Sequence, residues 1–360
     1  MPATQSEIAR HLNLSKATVA KVLGNAKNTW ISAETRERVL TAAREMGYVP
    51  SQSALSLRTG KTGAVALLVV MPEDAGPLPS VAIGSLAQTL GAARHNLVLR
   101  VVRGVAECLE VAKGLTDARS CDGLILWPDE AGALDVIEGL SALTLPIVIK
   151  GRFEALPESW IQVDFDHEGV METAVAELWR RGHRRLCYFG HDNDFAFSRH
   201  LRRGFLDAVT RRVPMGTPAA RIARVDNFWN RSRATMEGWL AEPDPPTAVV
   251  IGSGIFSWKG VEVAAARQGR RIGFGPGELA VVGIAASSRV LMVGEGLAFT
   301  TEGITELGTA LGEALLGALT GAEISSREVR ITPGFRPAEP LDYFDYGLEI
   351  ARGLRLTGRN

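Results

Sequence analysis

The apolar positions of this chain fall into two regimes. Between residues 4 and 48 they recur at helical spacing in three short groups: Ile8, Ala9 and Leu12; Val19, Val22 and Leu23; and Val39, Leu40, Ala43 and Met46. A capping residue precedes each group. Thr4 with Glu7 makes a capping box, Ser15 opens the second group, and Ser32 opens the third with Glu34 and Glu37 in its first turn. Asn13-Leu14, Gly24-Asn25 and Gly47 close them. Two short helices joined by a tight turn, then a third that completes a small core, is the helix-turn-helix pattern.

From residue 64 the helical period gives way to short, nearly continuous apolar runs separated by helical stretches. "AVALLVV" (64–70), "LVLRVV" (97–102), "GLILW" (123–127) and "PIVIK" (146–150) read as buried parallel strands. A second series opens near 160 with "WIQVDF" and continues through a helix over 168–181, "RRLCYFG" (184–190), a helix over 198–212, "AARIARV", "TAVVIG" (247–252) and "ELAVVGI" (278–284). The fold class predicted is α/β: an all-α helix-turn-helix head plus two doubly wound α/β subdomains, with more than one chain crossing between them. The expected division is a head over 1–49, a hinge helix and linker over 50–62, an effector-binding and dimerisation body over 63–340, and a tail over 341–360. The tail has too few apolar positions for a sustained heptad.

Charge sharpens this picture. The chain of 360 residues is neutral overall, with 40 basic and 40 acidic side chains. Residues 1–62 nevertheless hold nine Lys/Arg against four Glu, a net charge of +5, and the remainder carries −5. A basic head on an acidic body directs the head, and not the body, toward a polyanion.

The stretch "SKATVAKVL" (15–23) carries that expectation to particular residues. Lys16, Ala17 and Lys21 project from the face opposite Val19, Val22 and Leu23, while Ser15 and Thr18 sit where hydroxyls reach phosphates. A solvated surface with two lysines reads equally well from these nine residues alone. After the third helix, "GYVPSQSALSLRTGKTG" allows two helical turns at most from Ser51 to Leu57, too few to be stable in isolation. Leu57, beside Arg58 and Lys61, is either a linker leucine or a wedge pushed between base pairs from the minor groove.

"SEIARHLNLSKATVAKVL…ISAETRERVLTAAREMGYVPSQSALSLRTGKTG" closely resembles the N-terminal module of the lactose-repressor (LacI/GalR) family of bacterial transcription factors. The resemblance implies base-reading positions at Lys16, Ala17 and Lys21, and a hinge helix that folds in the minor groove. Ser51 and Ala54 would lie along that hinge, with Leu57 as its lever. Lys21 stands where many members have arginine, which replaces a bidentate guanine contact by a single point. "ELWRRGHRRLCYFG" and "DPPTAVVIG" extend the resemblance to the family's periplasmic-binding-protein-like effector domain.

The cleft between two such subdomains, outside the strand C-termini, is the expected seat of a small molecule. By resemblance Arg199 matches an arginine that hydrogen-bonds ligand oxygens; read from its neighbours Arg202 and Arg203 it is alternatively a helix-surface arginine, and Arg152 is a second candidate cation for an anionic ligand. Phe228 and Trp229 are candidates for a stacking wall and equally for core aromatics. Ser253-Gly254 and Ala285-Ala286 stand where sugar-binding members show Asn-Asp and Asp, and Ser253 is itself a candidate contact. With those carboxylates gone, each unpaired ligand hydroxyl would cost roughly 1–3 kcal/mol. The expected effector is therefore anionic or otherwise not a typical hexose.

Other classes fit less well. "GFGPGE" and "GSGIFSWKG" lack the context of a phosphate loop, no nucleophile elbow or Cys/His pair is present, and the histidines are scattered, so no enzyme activity, cofactor or metal is expected. Three well-separated cysteines make no disulfide framework. No apolar stretch is long enough to span a membrane, and "MPATQSEIAR" is no signal peptide, so the cytoplasm, on the nucleoid, is the expected location. The expected partners are a near-palindromic double-stranded DNA operator, a small-molecule effector and a second copy in a homodimer, with a tetramer left open. The alternative is a ligand-independent DNA-binding protein whose body serves only dimerisation.

Overall fold

The predicted caps form. In the computed structural model the Thr4 hydroxyl oxygen accepts from the Glu7 N–H at 3.3 Å, and the Glu7 carboxylate takes the Thr4 N–H at 2.6 Å. This starts α1 (Gln5–Leu12). Asn13 then adopts a left-handed conformation that turns the chain into α2 (Lys16–Leu23), where Ser15 Oγ accepts from the Thr18 N–H at 3.0 Å. Ser32 caps α3 (Ala33–Glu45) in the same way. The residues described are 3–24, 30–48, 60–72, 79–213, 220–225, 229–252, 255–284, 297–299, 302–321, 326–332 and 335–337.

Ile8, Ala9, Val19, Val22, Val39, Ala42 and Ala43 form the core of the head. Leu40, placed inward by spacing, is instead 42% exposed. Each helical residue advances by about 100°, so a stripe centred between Ala42 and Ala43 leaves Leu40 beyond its edge. The head closes as one compact unit, Met1–Ala64 with Arg119–Asp122. Within it the Asp122 carboxylate accepts from the Thr62 N–H, the Thr62 hydroxyl and the Gly63 N–H at 2.7, 3.0 and 2.8 Å. The predicted hinge positions Ser51, Ala54 and Leu57 lie outside the described residues, as does the tail over 341–360.

The second unit holds Val65–Ala118 and Gly123–Asn360. Its first half runs β1 (Ala64–Val70), α4 (Ser80–Ala92), β2 (Asn96–Val102), α5 (Val105–Asp117), β3 (Gly123–Trp127), α6 (Ala133–Leu140), β4 (Ile147–Lys150) and β5 (Ile161–Phe165). Then follow α7 (His167–Arg180), β6 (Leu186–His191), α8 (Ala196–Thr210), β7 (Arg221–Val225), α9 (Trp229–Leu240), β8 (Ala248–Ile251), α10 (Ile255–Arg267), β9 (Ala280–Ile284) and β10 (Leu297–Phe299). The last elements are α11 (Glu302–Thr320), β11 (Glu328–Ile331) and β12 (Phe335–Pro337).

Two six-stranded sheets result, ordered β11-β5-β4-β3-β1-β2 and β12-β10-β9-β8-β6-β7. Among the described strands the chain crosses between them after β5, between β10 and β11, and between β11 and β12. The structure corrects two readings of the sequence. "WIQVDF" does not open the second sheet: β5 pairs parallel with β4, Val148 opposite Ile161, and belongs to the first, where β11 adds beyond it. β2 is not a buried strand. It lies at a sheet edge, and Val101 is 50% exposed.

Helices meet closely where glycines permit it. A Cβ on Gly308 of α11 would collide with the Ala82 carbonyl oxygen and Ser85 Oγ of α4, and one on Gly204 of α8 would press on the Glu168 backbone of α7. These contacts fix α7 and α8, whose N-terminal ends bring Glu168 and His200 together.

Candidate functional site

In the head, Ser15, Lys16, Ala17 and Lys21 are exposed along α2, opposite the buried Val19 and Val22. Thr18 is half-buried, and its hydroxyl is shared with Ser15 Oγ at 2.8 Å. Burial of the opposite face holds the two lysines and Ala17 outward together. The Glu7 carboxyl lies below the usual carboxylate range because it takes the Thr4 backbone N–H and hydroxyl, which keeps the capping box charged and α1 in place beside α2.

In the body, a cavity of about 280 Å³ opens at the C-terminal ends of β1, β2 and β3. Val70, Val105 and Val136 give it apolar walls, and Arg103 and Asp129 supply charged groups. Gly104 and Gly132, which begin α5 and α6 without side-chain caps, also line it. Neither Arg103 nor Asp129 stood out in the sequence. Arg103 follows an apolar strand by one residue, which is the only local signal that it ends up at a strand mouth.

A second group of polar side chains gathers where β3, β4 and β5 end and α7 begins. Lys150 Nζ lies 3.6 Å from Asp164 Oδ1 and 5.9 Å from the centre of the Trp127 ring. His167 Nε2 stands 3.4 Å from Asp164 Oδ2. Asp164 is buried, yet Asp164 Oδ1 and His167 Nε2 have no hydrogen-bond partner of good geometry. Burial pushes the Asp164 carboxyl up, but the Lys150 charge and His167 outweigh it and hold the group well below the usual range. Lys150, Asp164 and His167 thus form a largely buried charged cluster at the ends of these strands.

The predicted ligand residues are dispersed by comparison. Arg152 is committed: its guanidinium forks onto Glu168 at 2.8 and 2.6 Å and contacts His200 Nδ1. Burial raises Glu168, but the Arg152 hydrogen bonds and the neighbouring His200 bring it down to about 2. Arg152 thus ties the segment after β4 to α7 and α8. Nearby, the Glu130 carboxylate accepts the Ala196 N–H at 3.1 Å, a cap that α8 does not supply for itself. Arg199 is exposed and donates to the Asp194 carbonyl. Trp229 is 39% exposed at the start of α9, with the Arg233 guanidinium 5.8 Å from its ring. Phe228 and Ser253 lie outside the described residues. The loop after His191 is a salt-bridge array: Asp192 meets Arg231 at 3.1 Å and Arg224 at 3.5 Å. Burial pushes the His191 pKa down.

Comparison with known proteins extends this geometry. The family model for bacterial regulatory proteins of the lacI family matches residues 4–51. The HTH-type transcriptional regulator AglR of Rhizobium meliloti (strain 1021) is 30% identical over 263 residues, 71% of each chain. The chain belongs to the LacI family. Its body, over 175–337, matches the periplasmic binding protein-like domain model. The HTH-type transcriptional regulator RafR of Escherichia coli is 28% identical over 345 residues, covering 92% of this chain and 96% of that one. A Lac repressor structure bound to ONPG in the repressed state superimposes with a TM-score of 0.67 at 21% identity, over 93% of this chain and 98% of that one. The CelR–cellobiose complex gives 0.59 at 21% identity, over 93% and 98%. Like other LacI-family proteins, this chain is a DNA-binding transcriptional regulator. No described helix is long and apolar enough to cross a membrane.

Proposed function

We propose that this LacI-family protein is a repressor whose hold on DNA is switched by a small anionic or sparsely hydroxylated metabolite. The cavity at the mouths of β1, β2 and β3 carries this reading. It lies outside the strand C-termini and is walled by valines. The Arg103 side chain and the N-terminal ends of α5 and α6 favour negative charge there, against the Glu107 carboxylate, which takes the Arg103 N–H at 2.8 Å, and Asp135 in the first turn of α6. Asp129 would accept a hydrogen bond from one hydroxyl or ammonium group of the same ligand. Arg152, engaged by Glu168, contributes by holding the two subdomains rather than by meeting the ligand directly. That a protein of this fold is solved as a complex with cellobiose supports a small-molecule ligand for the fold. The serine at 253 and the alanines at 285 and 286 argue against a sugar of that kind here.

On DNA, two copies present α2 to successive major-groove faces of a near-palindrome, with Lys16, Ala17 and Lys21 at base edges and Ser15 and Thr18 at phosphates. A ligand that changes the subdomain orientation by a coupling of about 2–3 kcal/mol alters operator occupancy about 30- to 150-fold. Thermal-shift measurements on the full chain, with carboxylates, sugar phosphates and neutral sugars in parallel, test the ligand class. Stabilisation by anionic compounds that is lost in Arg103→Ala supports it. Micromolar binding of an ordinary neutral hexose, or no response to any anion, removes it. A stabilising compound must then also shift operator affinity in a gel-mobility titration.

A further inference from the structure

The parallel strands of the second sheet begin at an end crowded with arginines. Arg184 and Arg185 lie in the turn before β6, and Arg270 and Arg271 lie before β9. Just past α8, which returns to the same end, Arg211 and Arg212 share the single Glu172 carboxylate. Among the described residues, three of these cations find carbonyl oxygens but no carboxylate. Arg184 donates to Trp179 at 2.7 Å, Arg185 to Pro245 at 2.8 Å and Arg270 to Pro246 at 3.5 Å. A carbonyl dipole satisfies the N–H groups without cancelling the charge. Glu177, Glu242 and Glu278 are already paired, with Arg180 and Arg181, with Arg221 and with Arg271. The exposed Asp244, on the loop before β8, offsets one of the three, which leaves positive charge in excess.

Flat faces accompany the charge. The Arg184 guanidinium lies 4.3 Å from the centre of the Trp179 ring, and that of Arg181 lies 4.1 Å from Phe274. Each guanidinium keeps an outer face that a further ring can cover. The topology brings one acidic segment to this place. β12 runs antiparallel to β10, with Pro337 opposite Leu297, while β10, β9, β8 and β6 are mutually parallel. The chain therefore leaves β12 where those strands start. Four strand spacings, about 19 Å, separate β12 from β6, a span that about six extended residues cross. Residues 338–351, "AEPLDYFDYGLEIA", hold Glu339, Asp342, Asp345 and Glu349, the rings of Tyr343, Phe344 and Tyr346, and no lysine or arginine. They lie outside the described residues. We infer that this acidic, aromatic segment docks on the arginine-rich end of its own body, with carboxylates on Arg184, Arg185 and Arg270 and rings against the stacked guanidinium groups. Tethering holds the segment at high effective concentration, so exposed ion pairs that are weak singly are enough. The same end of a second copy would bring like charges together, and a nucleic acid would face a body that is acidic as a whole. The inference is independent of the effector and DNA readings.

Limited digestion of the full chain with chymotrypsin, which cuts after Tyr343, Phe344 and Tyr346, tests this, with loss of the C-terminal piece followed by mass. At low salt the wild type should be cut there roughly tenfold more slowly than the near-isosteric Asp342→Asn, Asp345→Asn, Glu349→Gln variant. The difference should vanish near 1 M salt, where exposed charges are screened within about 3 Å. A tail carrying Asp342→Lys and Asp345→Lys should be cut fast on the wild-type body and slowly on a body carrying Arg184→Glu and Arg271→Glu. A body merely destabilised by those changes would not restore protection. Equal cutting of wild type and the neutralised variant at low salt overturns the inference. Protection that rises with protein concentration assigns the segment to a second copy, and also overturns it. So does a body variant that loses affinity for a duplex while its tail is cut at the wild-type rate, because the arginines then serve a nucleic acid.

Discussion

At the scale of single residues, the clearest lesson is Arg152. Sequence spacing places a cation after β4 and leaves its partner open; the fold supplies Glu168 and His200 from α7 and α8. Glu168 has a depressed folded pKa of about 2. Its contribution to stability is therefore fully present above its unfolded pKa and is lost as pH falls through the folded value. Glu168→Gln should cost about 1–2 kcal/mol at neutral pH, once partial solvent access to the pair is allowed for. Urea denaturation across pH checks this. The gap between wild type and variant should hold constant above about pH 5 and shrink steadily from there toward about pH 2. A gap that does not change with pH would mean that the carboxylate charge is not what Arg152 binds. Arg103 and Asp129 mark the opposite case, where no sequence pattern pointed to residues that the fold gathers around a cavity.

At the scale of elements, caps and apolar periods were legible because they depend on neighbours a few residues away. The Thr4–Glu7 box, the Ser15 and Ser32 caps and the strand "GLILW" occur where spacing puts them. Leu40 and β2 departed from expectation for reasons beyond local spacing: how wide a stripe the small head buries, and which strand ends up at a sheet edge. Helix pairing depends on backbone approach that sequence does not announce. Gly308 admits α4 against α11, and Gly308→Ala should destabilise the body by about 1–3 kcal/mol as the pair is forced apart. Thermal denaturation is the measurement. Gly317→Ala in the same helix, where nothing lies within 4 Å of an added Cβ, serves as the control and should be neutral or slightly stabilising.

For the whole molecule, charge separation between a basic head and an acidic body predicts how binding responds to salt. Affinity for a selected duplex should fall steeply and linearly in log–log form as salt rises, because the head displaces counterions from phosphates. Lys16→Ala with Lys21→Ala should reduce that slope where either lysine meets a phosphate, and relax base preference where either meets a base edge. Leu57→Ala, at the expected hinge position, should lose operator affinity far more than nonspecific affinity in salt-matched gel shifts, as removal of a wedge would. Equal loss of both would assign Leu57 to the linker.

The sequence by itself determined the helical head, its caps, its outward lysines, the two-sheet α/β body and the membership of this chain in the LacI family. The membership follows from the resemblance of particular residues of the head to those of the family; the rest follows from short-range periodicity, local capping and charge, all of which act within a few residues along the chain. Only the tertiary structure decided that β5 joins the first sheet with β11 beyond it, that Arg152 is neutralised by Glu168, and that Arg103 and Asp129 share a cavity. Those outcomes depend on which distant segments are packed together, and burial and pairing across such distances leave no period in the sequence.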